Sequence, residues 1–150
     1  MATDCDQSAL MQLGSPVPEF LALRPGDQAD VWLLEVTKDV AGATGTLHGG
    51  CALAAAAVVL ETATQRPVSF ITGQYLSRAP VGSTVTIEVE QLAVGNHITQ
   101  AAATCFYEGA MILRASAALG GRDLGVDMSW VTAPDVPPPA ECPPRGTTSE

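Results

Sequence analysis

The sequence predicts an α+β fold in which a long antiparallel β-sheet wraps around one central α-helix. Three observations carry this expectation. Residues 50–65 are rich in alanine, the best helix former, and stay apolar nearly all round until Glu61. A helix with no polar face is buried on most sides, and a surrounding sheet would bury it. After it, β-forming segments of about ten residues alternate with short turns, the pattern of antiparallel strands.

The elements follow in chain order. Residues 1–17 are polar and end near Pro16 and Pro18, which reads as a loose lead-in. Residues 18–120 read as one domain. Residues 20–23 are a short apolar run, and Arg24, Pro25, Gly26 and Asp27 read as a turn. Residues 29–37 are rich in β-formers and complete a hairpin. Residues 38–47, with Gly42 and Gly45, lead as a loop or short strand into the helix. Pro67 ends the helix, because the residue before proline avoids the α region.

Residues 68–78, 83–94, 97–107 and 110–119 are expected as a meander of strands. In the second of these, Val85, Ile87 and Val89 share one face, and Thr84, Thr86, Glu88 and Glu90 share the other. Ala79-Pro80-Val81-Gly82, Gly95-Asn96 and Glu108-Gly109 are the expected turns. Gly120-Gly121 breaks the last strand. Six prolines between Ala133 and Pro144 make residues 121–150 an extended tail, with Trp130 as its expected anchor.

Composition excludes several function classes. The chain has 150 residues, 47% hydrophobic and 15% charged, enough for a full core and unlike a disordered chain. The net charge is −9 and the seven basic residues are scattered. Nucleic acid and anionic membranes are therefore not expected partners. The same charge repels an anionic ligand at long range, so any phosphate contact must be local. The four cysteines form no Cys-x-x-Cys and lie near no histidine at ligand spacing, so no metal site is expected. Cys51 and Cys105 read as buried small hydrophobes, and a cytoplasmic location is the simplest. The acidic start is no signal peptide, and the longest apolar run, residues 51–60, is too short to span a bilayer.

The chemistry concentrates in Gly45-Thr46-Leu47-His48-Gly49-Gly50, where an extended segment meets the small-residue helix. The first N–H groups of a helix lack partners inside it and carry the positive end of its dipole. Glycine lets another molecule approach them closely. Gly49 and Gly50 thus form a cradle for a carbonyl oxygen or a developing oxyanion, or else merely allow tight packing of loop on helix.

This His-Gly-Gly segment resembles that of hot-dog fold thioesterases. Gln74-Tyr75-Leu76-Ser77-Arg78-Ala79-Pro80-Val81-Gly82 looks like their Tyr/Phe-Leu-x-Arg-x-Pro-x-x-Gly strand and turn. Gln91-Leu92-Ala93-Val94-Gly95-Asn96 resembles a hairpin of the same family. The resemblance covers about residues 20–120. It implies an acyl-CoA thioesterase of fatty acid metabolism with no cofactor beyond the coenzyme A of its substrate. Residues 137–143 resemble the linker of acyl-CoA thioesterase II-like proteins, which carry two hot-dog units in tandem. With one such unit, the chain is expected to pair through its sheet edge as a homodimer or dimer of dimers.

In many hot-dog thioesterases an Asp or Glu lies nine residues after the His, and here that position is Ala57. The nearest carboxylate is Glu61, one turn on and on the same face. It is expected to activate water, the competing reading being a solvated charge. Thr72 and Gln74 in the following strand are expected to face the thioester, or else solvent. His48 is an expected shaper of the loop or an acid–base group. Thr62, Gln65, Tyr75 and Arg78 are expected to bind substrate, Arg78 through coenzyme A phosphates, a role Arg114 could share. Without the usual carboxylate, a non-catalytic acyl-CoA binder or one subunit of a hetero-oligomeric thioesterase is the alternative.

Overall fold

A computed structural model describes residues 20–122, 125 and 130–142. The lead-in, residues 1–17, lies outside the described residues. The elements are β1 (Leu23–Pro25), β2 (Val31–Glu35), α1 (Gly49–Thr64), β3 (Val68–Tyr75), β4 (Thr84–Val94), β5 (Ile98–Tyr107), β6 (Ala110–Gly120) and a 3₁₀ turn (Pro139–Glu141).

The expected first hairpin forms, but its turn lies later. Arg24 and Pro25 belong to β1, and the Gly26 N–H closes the turn on the Val31 carbonyl at 2.8 Å. β1 is an edge strand, where proline's missing N–H breaks no ladder bond.

All pairings are antiparallel, in the order β1-β2-β4-β5-β6-β3. The expected meander therefore holds only from β4 to β6. β3 lies at the far edge against β6, so residues 76–83 cross the molecule instead of turning tightly. The loop before α1 captures that crossing. The Ala79 carbonyl accepts the Leu47 N–H at 2.8 Å, the Val81 N–H donates to Gly45 at 3.0 Å, and the Gly82 N–H to Val36 at 2.9 Å. These bonds satisfy the backbone that a hairpin would have paired.

The helix begins on Gly49, one residue earlier than expected, and ends with Gln65 in the left-handed conformation (φ 53°). Its buried residues are Ala52, Ala55, Ala56, Val58, Val59 and Leu60. They pack against the concave face of the sheet, where Leu34, Val85, Ile87, Ala103, Cys105, Leu113, Ala115 and Leu119 are buried. Close approach depends on Gly73 in β3. A Cβ there would lie 2.9 Å from Leu53 Cδ1 and 3.1 Å from Leu113 Cδ1.

Two burial expectations need correction. Cys105 is buried, but Cys51 is only half-buried. Trp130 is 84% exposed, so it does not anchor the segment 130–142, which also holds the 3₁₀ turn. Among the described residues no helix is long and apolar enough to cross a membrane, and no cluster of His, Cys, Asp and Glu could hold a metal.

Candidate active site at the head of the central helix

His48 caps α1. Its backbone is extended (φ −69°, ψ 133°), and its ring Nδ1 accepts the Gly50 N–H at 3.2 Å. In the neutral ring the proton is therefore on Nε2. The His48 N–H donates to the Val40 carbonyl at 2.9 Å, which ties the loop to the helix head. Of the two expected oxyanion donors, Gly50 is thus occupied by the protein's own ring. The Gly49 N–H makes no hydrogen bond among the described residues. The first turn holds no acidic residue, so nothing there offsets the positive end of the helix dipole.

A small cleft opens beside Gly49. Its volume is about 20 Å³, room for roughly one water or one oxygen atom. Leu47, Ala52, Ala79, Ile112 and Leu113 give it an apolar lining. Tyr75, Ser77 and Arg78 line it too, and among the described residues Arg78 is the only cation that does. The Tyr75 hydroxyl donates to the Gly49 carbonyl at 3.0 Å. Its ring lies so close that a Cβ on Gly49 would be 3.0 Å from Tyr75 Cε1. A side chain at 49 would have to push this half-exposed ring aside.

The fold thus brings together His48, Gly49, Gly50, Tyr75 and Arg78. It does not bring the other expected residues to them. Glu61 is twelve residues along the same helix, about 18 Å from Gly49 by helical rise. Its Oε1 accepts the Val68 N–H at 2.7 Å, joining the helix to the start of β3. Thr62 Oγ1 donates to the Val58 carbonyl and Gln65 Nε2 to the Thr62 carbonyl, so both serve the helix end.

Thr72 and Gln74 lie on the convex face of the sheet. Gly73 between them faces Leu53 of the helix, and alternate strand residues point to opposite faces. In one copy of the chain they cannot meet a carbonyl held at Gly49. Arg114 is on that convex face too, where it donates to Thr104 Oγ1 at 2.8 Å and lies 3.6 Å from Glu90.

Sequence reasoning missed Ser77. Its signal was its place two residues after Tyr75 in the same strand-to-turn motif. It also missed that Gly50 is capped, although a polar residue directly before a helix head is an N-cap signal.

Comparison with known proteins gives a consistent picture. Residues 37–120 match the family described as acyl-CoA thioesterase N-terminal domain. No curated protein matches the chain in sequence. Among solved structures, a candidate thioesterase from Novosphingobium aromaticivorans DSM 12444 is 32% identical, with a TM-score of 0.78. The match covers 84% of this chain and 51% of that one, so the chain spans about half the length of that relative. The PaaI protein of the Escherichia coli phenylacetic acid degradation operon is 14% identical over 75% of this chain and 93% of its own, with a TM-score of 0.67. A hypothetical thioesterase from Streptococcus pneumoniae TIGR4, solved with coenzyme A, is 15% identical over 67% of this chain and 88% of its own, with a TM-score of 0.61. The six-stranded antiparallel sheet around one helix is the hot-dog fold.

Proposed function

We propose that this chain, which belongs to the acyl-CoA thioesterase N-terminal domain family, grips an acyl-CoA thioester at the head of α1 for hydrolysis to a free acid and coenzyme A. The observation that carries this reading is the open Gly49 N–H beside a cleft of one-oxygen size. The thioester carbonyl oxygen fills the cleft. The Gly49 amide and the helix dipole stabilise the charge that develops on it when water attacks. His48 does not touch the substrate; by capping Gly50 it fixes the direction of the helix head. Arg78 offers local positive charge to a coenzyme A phosphate, which a chain of net charge −9 otherwise repels. Hydrolysis needs no cofactor beyond the coenzyme A that the substrate carries.

Activating the water needs a base, and among the described residues no carboxylate lines the cleft. A second copy of the chain supplies one. The outer edge of β3 is unpaired among the described residues, and Phe70 and Leu76 beside it are 64% and 58% exposed. Such an edge is a template for another strand. Two copies joined there about a two-fold axis run their α1 helices antiparallel. Small residues such as Ala54 and Ala57 allow the helices to pass closely. A crossing at the level of Ala55 sets Glu61 of the partner subunit opposite Gly49. Thr62, Thr72, Gln65 and Gln74 take no part in this reading. The free thiols of Cys51, Cys105 and Cys142 suit a reducing cytoplasm, and the substrate class suits fatty acid metabolism.

The test is coenzyme A release over a series of straight-chain acyl-CoA thioesters, with light scattering alongside. Wild type should turn over at least one of them as a dimer. Glu61→Gln keeps an acceptor for the Val68 N–H, so its melting temperature should hold while kcat falls by roughly 100-fold or more. No turnover at any chain length removes the hydrolase reading, and a monomeric mass removes the partner's Glu61. A second reading, an acyl-CoA binder that works with a different hot-dog unit, is favoured by Ala57 and by the doubled length of the Novosphingobium relative. Saturable binding without release would select it.

A further inference from the structure

We infer that the Ser77 hydroxyl is the second donor to the thioester carbonyl oxygen, in the role that the capped Gly50 amide cannot fill, an inference that rests on the thioester reading above. A developing oxyanion is held best by more than one donor aimed at its oxygen. At the helix head the Gly50 N–H is bonded to His48 Nδ1 at 3.2 Å, and the Tyr75 hydroxyl hydrogen goes to the Gly49 carbonyl at 3.0 Å. Beside the open Gly49 N–H, the polar side chains left around the cleft are Ser77 and Arg78. The exposed Ser77 hydroxyl makes no hydrogen bond among the described residues, whereas Ser69 and Ser83 direct theirs to the Gly120 and Pro80 carbonyls. A serine hydroxyl sits one bond from its Cβ and turns readily to meet an acceptor. An arginine must order a long side chain to do the same.

Backbone bonds fix where Ser77 stands. The Leu76 and Ser77 N–H groups both donate to the Ile112 carbonyl, at 2.9 and 3.3 Å. Two residues on, the carbonyl of buried Ala79 accepts the Leu47 N–H at 2.8 Å. Ile112, Ala79 and Leu47 all line the cleft. Leu47 in turn lies two residues before Gly49. Ser77 and Gly49 are thus each two residues from the same interstrand bond, and both border the same cleft. That cleft has room for about one oxygen, so its lining stands close around the atom that fills it. A carbonyl oxygen there gives the Ser77 hydroxyl the acceptor it lacks. When water adds to the carbonyl carbon, the C=O π pair moves onto that oxygen, and the bonds from Gly49 and Ser77 strengthen. Ser77 keeps its proton throughout.

The experiment pairs butyryl-CoA hydrolysis with infrared spectroscopy of a bound ketone analogue of butyryl-CoA, in which CH₂ replaces sulfur and the carbonyl carbon is isotopically labelled. Each hydrogen bond to the ketone oxygen lowers its stretching frequency. Ser77→Ala should lower kcat by roughly 100-fold or more, the usual loss for one oxyanion donor, with KM little changed. It should also raise the carbonyl frequency of the bound analogue above that in wild type. Ser77→Thr keeps the hydroxyl and should recover both rate and frequency. The same carbonyl frequency in wild type and Ser77→Ala overturns the inference, even where kcat falls, since that marks a serine needed only for shape. A frequency that rises in Arg78→Met and not in Ser77→Ala gives the second bond to the arginine and overturns it too. No hydrolysis by wild type and no binding of the analogue to any of the four proteins overturn the thioester reading, and the inference with it.

Discussion

At the scale of single residues, two adjacent glycines have different duties. Gly49 leaves its amide open and its α carbon bare for the Tyr75 ring. Gly50 gives its amide to His48 Nδ1. The histidine is thus a cap, doing for the helix what Ser or Asp does elsewhere. His48→Ala should cost about 0.5–2 kcal/mol in urea unfolding, the range for a lost N-cap, and His48→Asn should recover most of it. A cost within error for His48→Ala would show that the ring–amide bond adds nothing.

At the scale of elements, the helix is held at both ends and pressed on the sheet between them. At its foot the Glu61 carboxylate takes the Val68 N–H, so α1 and β3 are joined through a charged acceptor. Between the ends, Gly73 sets the helix–sheet distance. Gly73→Ala places a methyl group against half-buried Leu53 and buried Leu113. It should destabilise by about 1–3 kcal/mol, the usual cost of overpacking, in chemical denaturation. An unchanged or higher stability would mean that the helix rides less tightly on the sheet than the contact distances state.

At the scale of the whole molecule, one core holds the sheet's concave face and the helix, and Cys105 reports on it. Burial pushes its thiol from the ordinary 9.0 up to about 12. The neutral thiol is the form the folded state favours. Its contribution to stability is complete below pH 9 and is lost as pH rises from there toward 12. The wild-type melting temperature should therefore fall more steeply above pH 9 than that of Cys105→Ala. Parallel curves for the two proteins would contradict a buried, neutral thiol. Exposed Cys142 should react with a thiol reagent in the native state, while Cys105 should wait for unfolding.

Much of this was legible in the chain. Alanine richness and Pro67 marked the helix, alternation in residues 84–89 gave the correct buried face, and the glycines with His48 marked the helix head. These are local matters, settled by propensity, spacing and capping within a few residues. Only the tertiary structure decided that β3 pairs with β6, which turns Thr72 and Gln74 to the convex face. Only it decided that Glu61 lies a helix length from the cleft, and that Tyr75 closes over Gly49. The reason is physical. Local pattern fixes what an element is and which residues share its faces. Which element lies beside it depends on long-range backbone bonds, here those between the 45–47 loop and the 79–82 crossing, and no periodicity in the chain records them.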